Sequence, residues 1–190
     1  MELEGRQNEG ETLKASVFIA TSLDGFIARE NGDIHWLSEA GDNGSEEDYG
    51  YKEFMATVDV LVMGRKTFEK ALTFADWPYG SKPVVVLSSG PVQVPKHIAQ
   101  SVESMSCPPA ELVGRLGERG AGHLYIDGGK TIQGFLDAGL IQQIIITRTP
   151  ILIGSGIPLF GPLKHDIKLR HIETRQFVSG FVQSKYTVTG

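Results

Sequence analysis

Cysteine is nearly missing from this chain: Cys107 is the single one among 190 residues. An internal disulfide is therefore excluded, as is any metal site built from several thiolates. A basic excess is missing too. Lys and Arg number 18 against 23 Asp and Glu, a formal net charge of −5. A chain that lives on phosphate-backbone contacts carries the opposite balance, so no nucleic-acid partner is expected. Long apolar runs are also absent. A membrane span needs ~20 consecutive apolar residues, and no stretch comes near that, so no membrane partner is expected. The opening segment, MELEGRQNEGETLK, has neither the apolar core of a secretion signal nor the Arg-rich, acid-poor character of a transit peptide. The expectation is a cytoplasmic protein. No grouping of His and carboxylates has metal-ligand spacing, so no metal is expected.

Hydrophobic residues make up 41% of the chain, enough for a continuous core. Residues 1–13 read as a flexible arm and 14–190 as one domain. Within it, ASVFIAT (15–21), VDVLVM (58–63), PVVVL (83–87), His123–Ile126 and the Ile-rich Leu140–Thr149 read as strands. Phe26–Ala28 reads as a brief strand, and 38–45, SEAGDNGS, as turn. Ser45 followed by Glu46, Glu47 and Asp48 is a helix-start signature, and that helix is expected to run to about Ala56. Further helices are expected over Lys66–Leu72, Pro108–Glu118 and Lys130–Ala138. Residues 150–162 read as a Pro/Gly loop, and Ile167–Phe177 with Phe181–Val188 as a closing hairpin. Strands alternating with helices predict an α/β fold: a mostly parallel central sheet with flanking helices and a C-terminal antiparallel hairpin. Ligands of such a sheet bind at the carboxyl ends of its strands.

Glycine is abundant, 23 of 190, and it clusters where strands end. Met63-Gly64-Arg65-Lys66-Thr67, Leu87-Ser88-Ser89 and Ile126-Asp127-Gly128-Gly129-Lys130-Thr131 share one logic. A helix start exposes N–H groups, and Gly lets a phosphate approach them. Each turn alone is an ordinary βα connection; the set points to the two phosphates of a dinucleotide. Other phosphate motifs fail. Gly129-Lys130-Thr131 ends like a Walker A loop, but its first Gly would fall at Leu124. Gly154-Ser155-Gly156 starts like a Rossmann fingerprint, but its third Gly falls at Leu159, behind Pro158.

Taken in order, VFIATSLDGFIA, VDVLVMGRKTFE, PVVVLSS and LYIDGGKTIQGFLDAGLIQQIIITRTPILIGSGIPLF resemble the dihydrofolate reductase superfamily. The closer resemblance is to the C-terminal reductase domain of the bifunctional riboflavin-biosynthesis deaminase–reductase. It spans about residues 15–188. It implies NADPH as cofactor and a small-molecule substrate. Gly64, Arg65, Lys66 and Thr67 then match cofactor-phosphate positions, with the basic residues near the 2′-phosphate. Leu87, Ser88 and Ser89 match the adenosine end, and Asp127, Gly128, Gly129, Lys130 and Thr131 the pyrophosphate turn. Ala20 and Ile27 match positions flanking the nicotinamide. Gly154 and Ser155 offer backbone N–H groups to the cofactor or to a substrate phosphate.

On the substrate side, Asn31–Trp36 matches a mobile closing loop, and Trp36 a Trp common in folate reductases. Asp48, 16 residues before Gly64, matches the catalytic carboxylate, with a raised pKa expected on the rim of an apolar pocket. Asp33 is the second carboxylate candidate. Thr147 matches a Thr that supports the carboxylate. An insertion, roughly Leu37–Gly44, departs from the folate-reductase pattern and puts folate itself in doubt. The implied reaction is hydride transfer to a C=N or C=O carbon of a small heterocycle, or of a phosphorylated ribosylamino-pyrimidine. A true dihydrofolate reductase and a non-catalytic dinucleotide-binding module are the alternatives. Relatives in this branch pair, which allows a homodimer; the sequence itself does not carry it.

Overall fold

The structure is a computed structural model and describes residues 13–41 and 47–189. The expected arm, 1–13, lies outside these residues apart from Leu13, as does most of the expected helix start at Ser45 and Glu46. Among the described residues there are ten strands and five α-helices. They are β1 (Lys14–Thr21), β2 (Phe26–Ala28), α1 (His35–Gly41), α2 (Tyr51–Thr57), β3 (Val60–Gly64), α3 (Arg65–Ala71), β4 (Val84–Leu87), β5 (Val102–Met105), α4 (Pro109–Glu118), β6 (His123–Asp127), α5 (Gly129–Asp137), β7 (Gln143–Arg148), β8 (Ile157–Pro158), β9 (Leu169–Gln176) and β10 (Val182–Val188).

Eight strands form one sheet in the order β5-β4-β3-β6-β1-β7-β10-β9. The six from β5 to β7 are parallel, and β10 runs antiparallel between β7 and β9. The α/β fold with its C-terminal antiparallel pair therefore holds. The continuous apolar runs of β3, β4 and β6 are explained by burial on both faces. On one face Phe54 of α2 and Phe68 of α3 pack with Leu61, Met63, Val84, Val86 and Tyr125. On the other, Leu112 and Leu116 of α4 and Ile132 and Phe135 of α5 pack with Val17, Val62, Val85 and Ile126. The helices that follow β3 and β6 thus leave toward opposite faces. Two neighbouring parallel strands whose helices part in this way create a crevice at their carboxyl ends.

Three local expectations are corrected. Residues 35–41 are helical, because Asp33 Oδ1 accepts the His35 N–H at 3.3 Å and Trp36 is anchored at 1% exposure. The next helix begins at Tyr51, not at Ser45. Tyr49 (φ 55°) and Gly50 (φ 80°) are both left-handed, a conformation no α-helix continues through. Tyr49 is held there by its ring, stacked on Phe181 at 5.0 Å and edge-on to Phe177 at 4.9 Å. Finally β5 is a strand without a continuous apolar run, since only Val102 and Met105 of VESM are buried.

Candidate cofactor and active site

The three Gly-marked turns converge. Gly64 ends β3, Leu87 ends β4 and Asp127 ends β6, three adjacent strands pointing one way. The β3 and β6 turns interlock. A Cβ on Gly64 would lie 3.0 Å from Thr131 Oγ1, and one on Gly128 would overlap Thr67 Oγ1. Each turn leaves room for the other's threonine, so both hydroxyls sit between the two helix starts. In α5 the first intrahelical bond runs from the Ile132 N–H to the Gly128 carbonyl, 2.9 Å. The N–H groups of Gly129, Lys130 and Thr131 precede it and face the crevice end. Lys66 and Lys130 are exposed beside them, and Arg65 reaches the Ser88–Gly90 loop. Over Gly129 lies the antiparallel ribbon of β2 and β8. A Cβ there would be 3.1 Å from Ile27 Cδ1 and 3.3 Å from the Pro158 carbonyl.

These groups test the fit of a phosphorylated dinucleotide. N–H groups, hydroxyls and cations gathered at one end of the sheet, two turns apart, suit two bridged phosphates and a third nearby. Three of the expected contact groups are engaged within the protein. Ser88 Oγ donates to the Gly90 carbonyl at 2.9 Å and accepts the Gly90 N–H at 3.2 Å, so it closes its own turn. The Gly154 N–H is taken by Asp24 Oδ2 at 2.8 Å, and the Ser155 N–H by the Ile153 carbonyl at 2.9 Å. Neither is offered outward.

The substrate-side residues do not assemble as expected. Asp48 Oδ1 accepts the Gly50 N–H and Oδ2 the Lys52 N–H, each at 3.0 Å. It lies two residues before Gly50, the N-cap of α2, and braces the start of that helix from outside. Those two bonds hold its carboxyl below the ordinary carboxylate value, the reverse of the expected rise. Asp33 accepts one N–H, that of His35, at 3.3 Å. Thr147 is buried, and among the described residues its hydroxyl bonds no carboxylate. Its hydroxyl accepts from Gln183 Nε2 at 2.9 Å, and the same amide donates to the Tyr49 carbonyl at 3.0 Å. Ala20 pairs with Thr147 across β1 and β7. Trp36, expected in a mobile loop, is buried in α1; among the described residues its Nε1 has no hydrogen-bond partner.

One residue assigned only to the cofactor takes on a second aspect. Side chains alternate along β6, and Tyr125 belongs to the α2–α3 cluster, so Asp127 faces that side as well. There its charge bears on Tyr51, Tyr79 and Tyr125, whose phenols are pushed up first by burial and then by Asp127. Tyr51 rises to about 12. Burial pushes the Asp127 carboxyl up to about 6, against the Gly128 N–H it accepts at 2.7 Å. A carboxyl group in that range, at the crevice, can hold or release a proton near neutrality. The residue type was visible in the sequence; the face it occupies was not.

Comparison with known proteins gives the family and the fold. The sequence profile described as the RibD C-terminal domain matches residues 14–183. The chain belongs to the RibD C-terminal domain family. One relative, the uncharacterized protein YwjB of Bacillus subtilis (strain 168), is 36% identical over 167 residues, covering 86% of this chain and 92% of its own. Among solved structures, a putative riboflavin biosynthesis protein from Shewanella sp. PV-4 superposes with a TM-score of 0.88 at 40% identity. It covers 94% of this chain and 100% of that one. Dihydrofolate reductase from Enterococcus faecalis, complexed with NADP(H) and RAB-propyl, gives 0.68 at 17% identity over 95% and 98% of the two chains. At that identity the likeness speaks for the fold: this RibD C-terminal domain is dihydrofolate reductase-like. Among its described residues no helix is long and apolar enough to cross a membrane.

Proposed function

We propose that this protein is an NADPH-dependent reductase acting on a C=N or C=O bond of a small heterocyclic substrate. The observation that carries the reading is the placement of Asp127 at the end of β6, beside the interlocked β3 and β6 turns, its carboxyl on the α2–α3 face. Membership of the RibD C-terminal domain family and the fold shared with an NADP(H)-bound reductase support it. NADPH, when bound, supplies a hydride from its nicotinamide ring. Thr67, Thr131 and the first N–H groups of α5 would hold its pyrophosphate, and Arg65 with Lys66 a 2′-phosphate. Ala20 and Ile27 would flank the ring.

The chain's own chemical part is the proton. Two-electron reduction of C=N or C=O adds a hydride at carbon and a proton at the heteroatom. Asp127 in its acid form is the donor placed to deliver that proton, and its anion is reprotonated from solvent. Asp48 accepts two backbone N–H groups and Asp33 one, and the carboxyl pushed up by burial is that of Asp127, which favours it as the donor in this reading.

Titration with NADPH and NADH, read by nicotinamide fluorescence, tests the cofactor. Tighter binding of NADPH is expected, and failure of both to bind would overturn the reading. A panel of imine and carbonyl heterocycles then tests turnover. Asp127→Asn should bind NADPH like the wild type and lose about 100-fold or more in rate. Equal rates would remove Asp127 from the reaction.

A further inference from the structure

Asp24, in the turn between β1 and β2, has no part in the reading above, yet its exposed carboxylate gathers three donors. Oδ1 accepts the Ser22 hydroxyl at 2.6 Å and the Ile153 N–H at 3.3 Å; Oδ2 accepts the Gly154 N–H at 2.8 Å. Ser22 is fully buried and its Oγ accepts the Phe26 N–H at 3.0 Å, which fixes the turn from inside. The main chain ties the same two segments together. Leu23 N–H donates to the Ile151 carbonyl at 2.8 Å, and Leu159 N–H to the Gly25 carbonyl at 3.1 Å. Next along each segment come β2 and β8, the ribbon lying on Gly129 at the start of α5.

We propose that Asp24 is a positioning residue for the cofactor: its carboxylate locks the 151–155 segment to the β1–β2 turn, so that the β2–β8 ribbon sits at a fixed height over the N-terminus of α5. This rests on the NADPH reading. Loss of the lock frees two N–H groups of an exposed segment and loosens the wall beside the pyrophosphate. The three donated hydrogens hold the Asp24 carboxyl below the ordinary carboxylate value, so the lock stays charged at neutral pH.

The direction of the effect separates this role from a bystander's. A carboxylate that merely sits near an anionic cofactor repels it, and its removal tightens binding. A positioning carboxylate does the reverse. The experiment is NADPH titration of the wild type, Asp24→Ala and Asp24→Asn, with amide hydrogen exchange on each unliganded protein. Asp24→Ala should weaken NADPH about tenfold, the worth of one hydrogen bond to a charged group. Asp24→Asn keeps one acceptor and should fall between. Exchange should quicken at Ile153 and Gly154 and stay unchanged in β3 and β4. Unchanged or tighter NADPH binding by Asp24→Ala would overturn the proposal, as would quickened exchange throughout the sheet, which marks general destabilisation. A wild type that binds no NADPH overturns the cofactor reading and this proposal with it; one that binds while Asp24→Ala binds equally well overturns this proposal alone.

Discussion

Gly128 has no side chain because Thr67 occupies the space one would need: a Cβ built on Gly128 overlaps Thr67 Oγ1. The backbone adds a second reason, since Gly128 sits at φ 88°, where L side chains are strained. Gly64 faces Thr131 from the opposite turn, where a Cβ would lie 3.0 Å from Oγ1, a tight approach without overlap. The crevice between the diverging helices is thus fixed by two glycine–threonine contacts.

Gly128→Ala should therefore destabilise the protein by about 2 kcal/mol or more, strain and overlap acting together. Pairing it with Thr67→Ala removes the overlap and leaves the strain, so part of the loss should return. Urea unfolding of the two variants measures both. Equal stability of Gly128→Ala and the wild type would show that the two turns are not locked together.

Asp127 gives the stability curve a definite sign. Its folded pKa, about 6, lies above the ordinary 3.8. Between those values the unfolded chain releases a proton that the folded chain keeps, so this contribution is full below 3.8 and is lost as pH rises through 6. Asp127→Asn removes the loss while its side-chain oxygen can still accept the Gly128 N–H. The variant should be more stable than the wild type above pH 6, by at most about 3 kcal/mol, with the difference fading toward pH 4. Urea midpoints at pH 4 and 8 check this. If Asp127 is the proton donor, turnover of the wild type falls over the same rise in pH.

Much of this architecture was legible because buried parallel strands write themselves as apolar runs and glycine marks their ends. VLVM, VVVL and HLYI needed little more than their composition. VESM did not reveal β5, since only its ends are buried at the sheet margin. The site was legible as a set of turns but not as a set of contacts. That Ser88 closes its own turn depends on a two-residue hydrogen bond, and that Gly154 is silent depends on Asp24, 130 residues away. Asp48 illustrates the deepest ambiguity. An acid near a helix start is chemically the same whether it caps the backbone or faces a substrate; only the left-handed Tyr49 and Gly50 decide it.

Asp48→Ala should cost about 1 kcal/mol, comparable to the loss of a helix cap, and Asp48→Asn much less. Neither should reduce NADPH binding, and Asp48→Asn should keep turnover. Thermal melts with the cofactor titration distinguish the roles. Loss of turnover in a fully stable Asp48→Asn would return this residue to the reaction.

His123 provides the opposing pH dependence. It starts β6 with 8% exposure; its Nδ1 lies 3.0 Å from the Thr57 carbonyl and its Nε2 2.8 Å from Ser16 Oγ. Burial, helped by Lys14, holds its pKa below 6.5, while the Thr57 carbonyl and Asp59 act the other way. Below pH 6.5 the unfolded chain takes up a proton that the folded chain resists, so stability is full above that value and falls as the medium is acidified. Asp127 slopes oppositely between 3.8 and 6, so the measurement belongs in an Asp127→Asn background. There the unfolding midpoint should drop from pH 7.5 to 5.5, and His123→Gln should flatten the drop while lowering stability throughout, because buried Ser16 loses its partner. An equal slope in both proteins would show that His123 titrates freely in the fold.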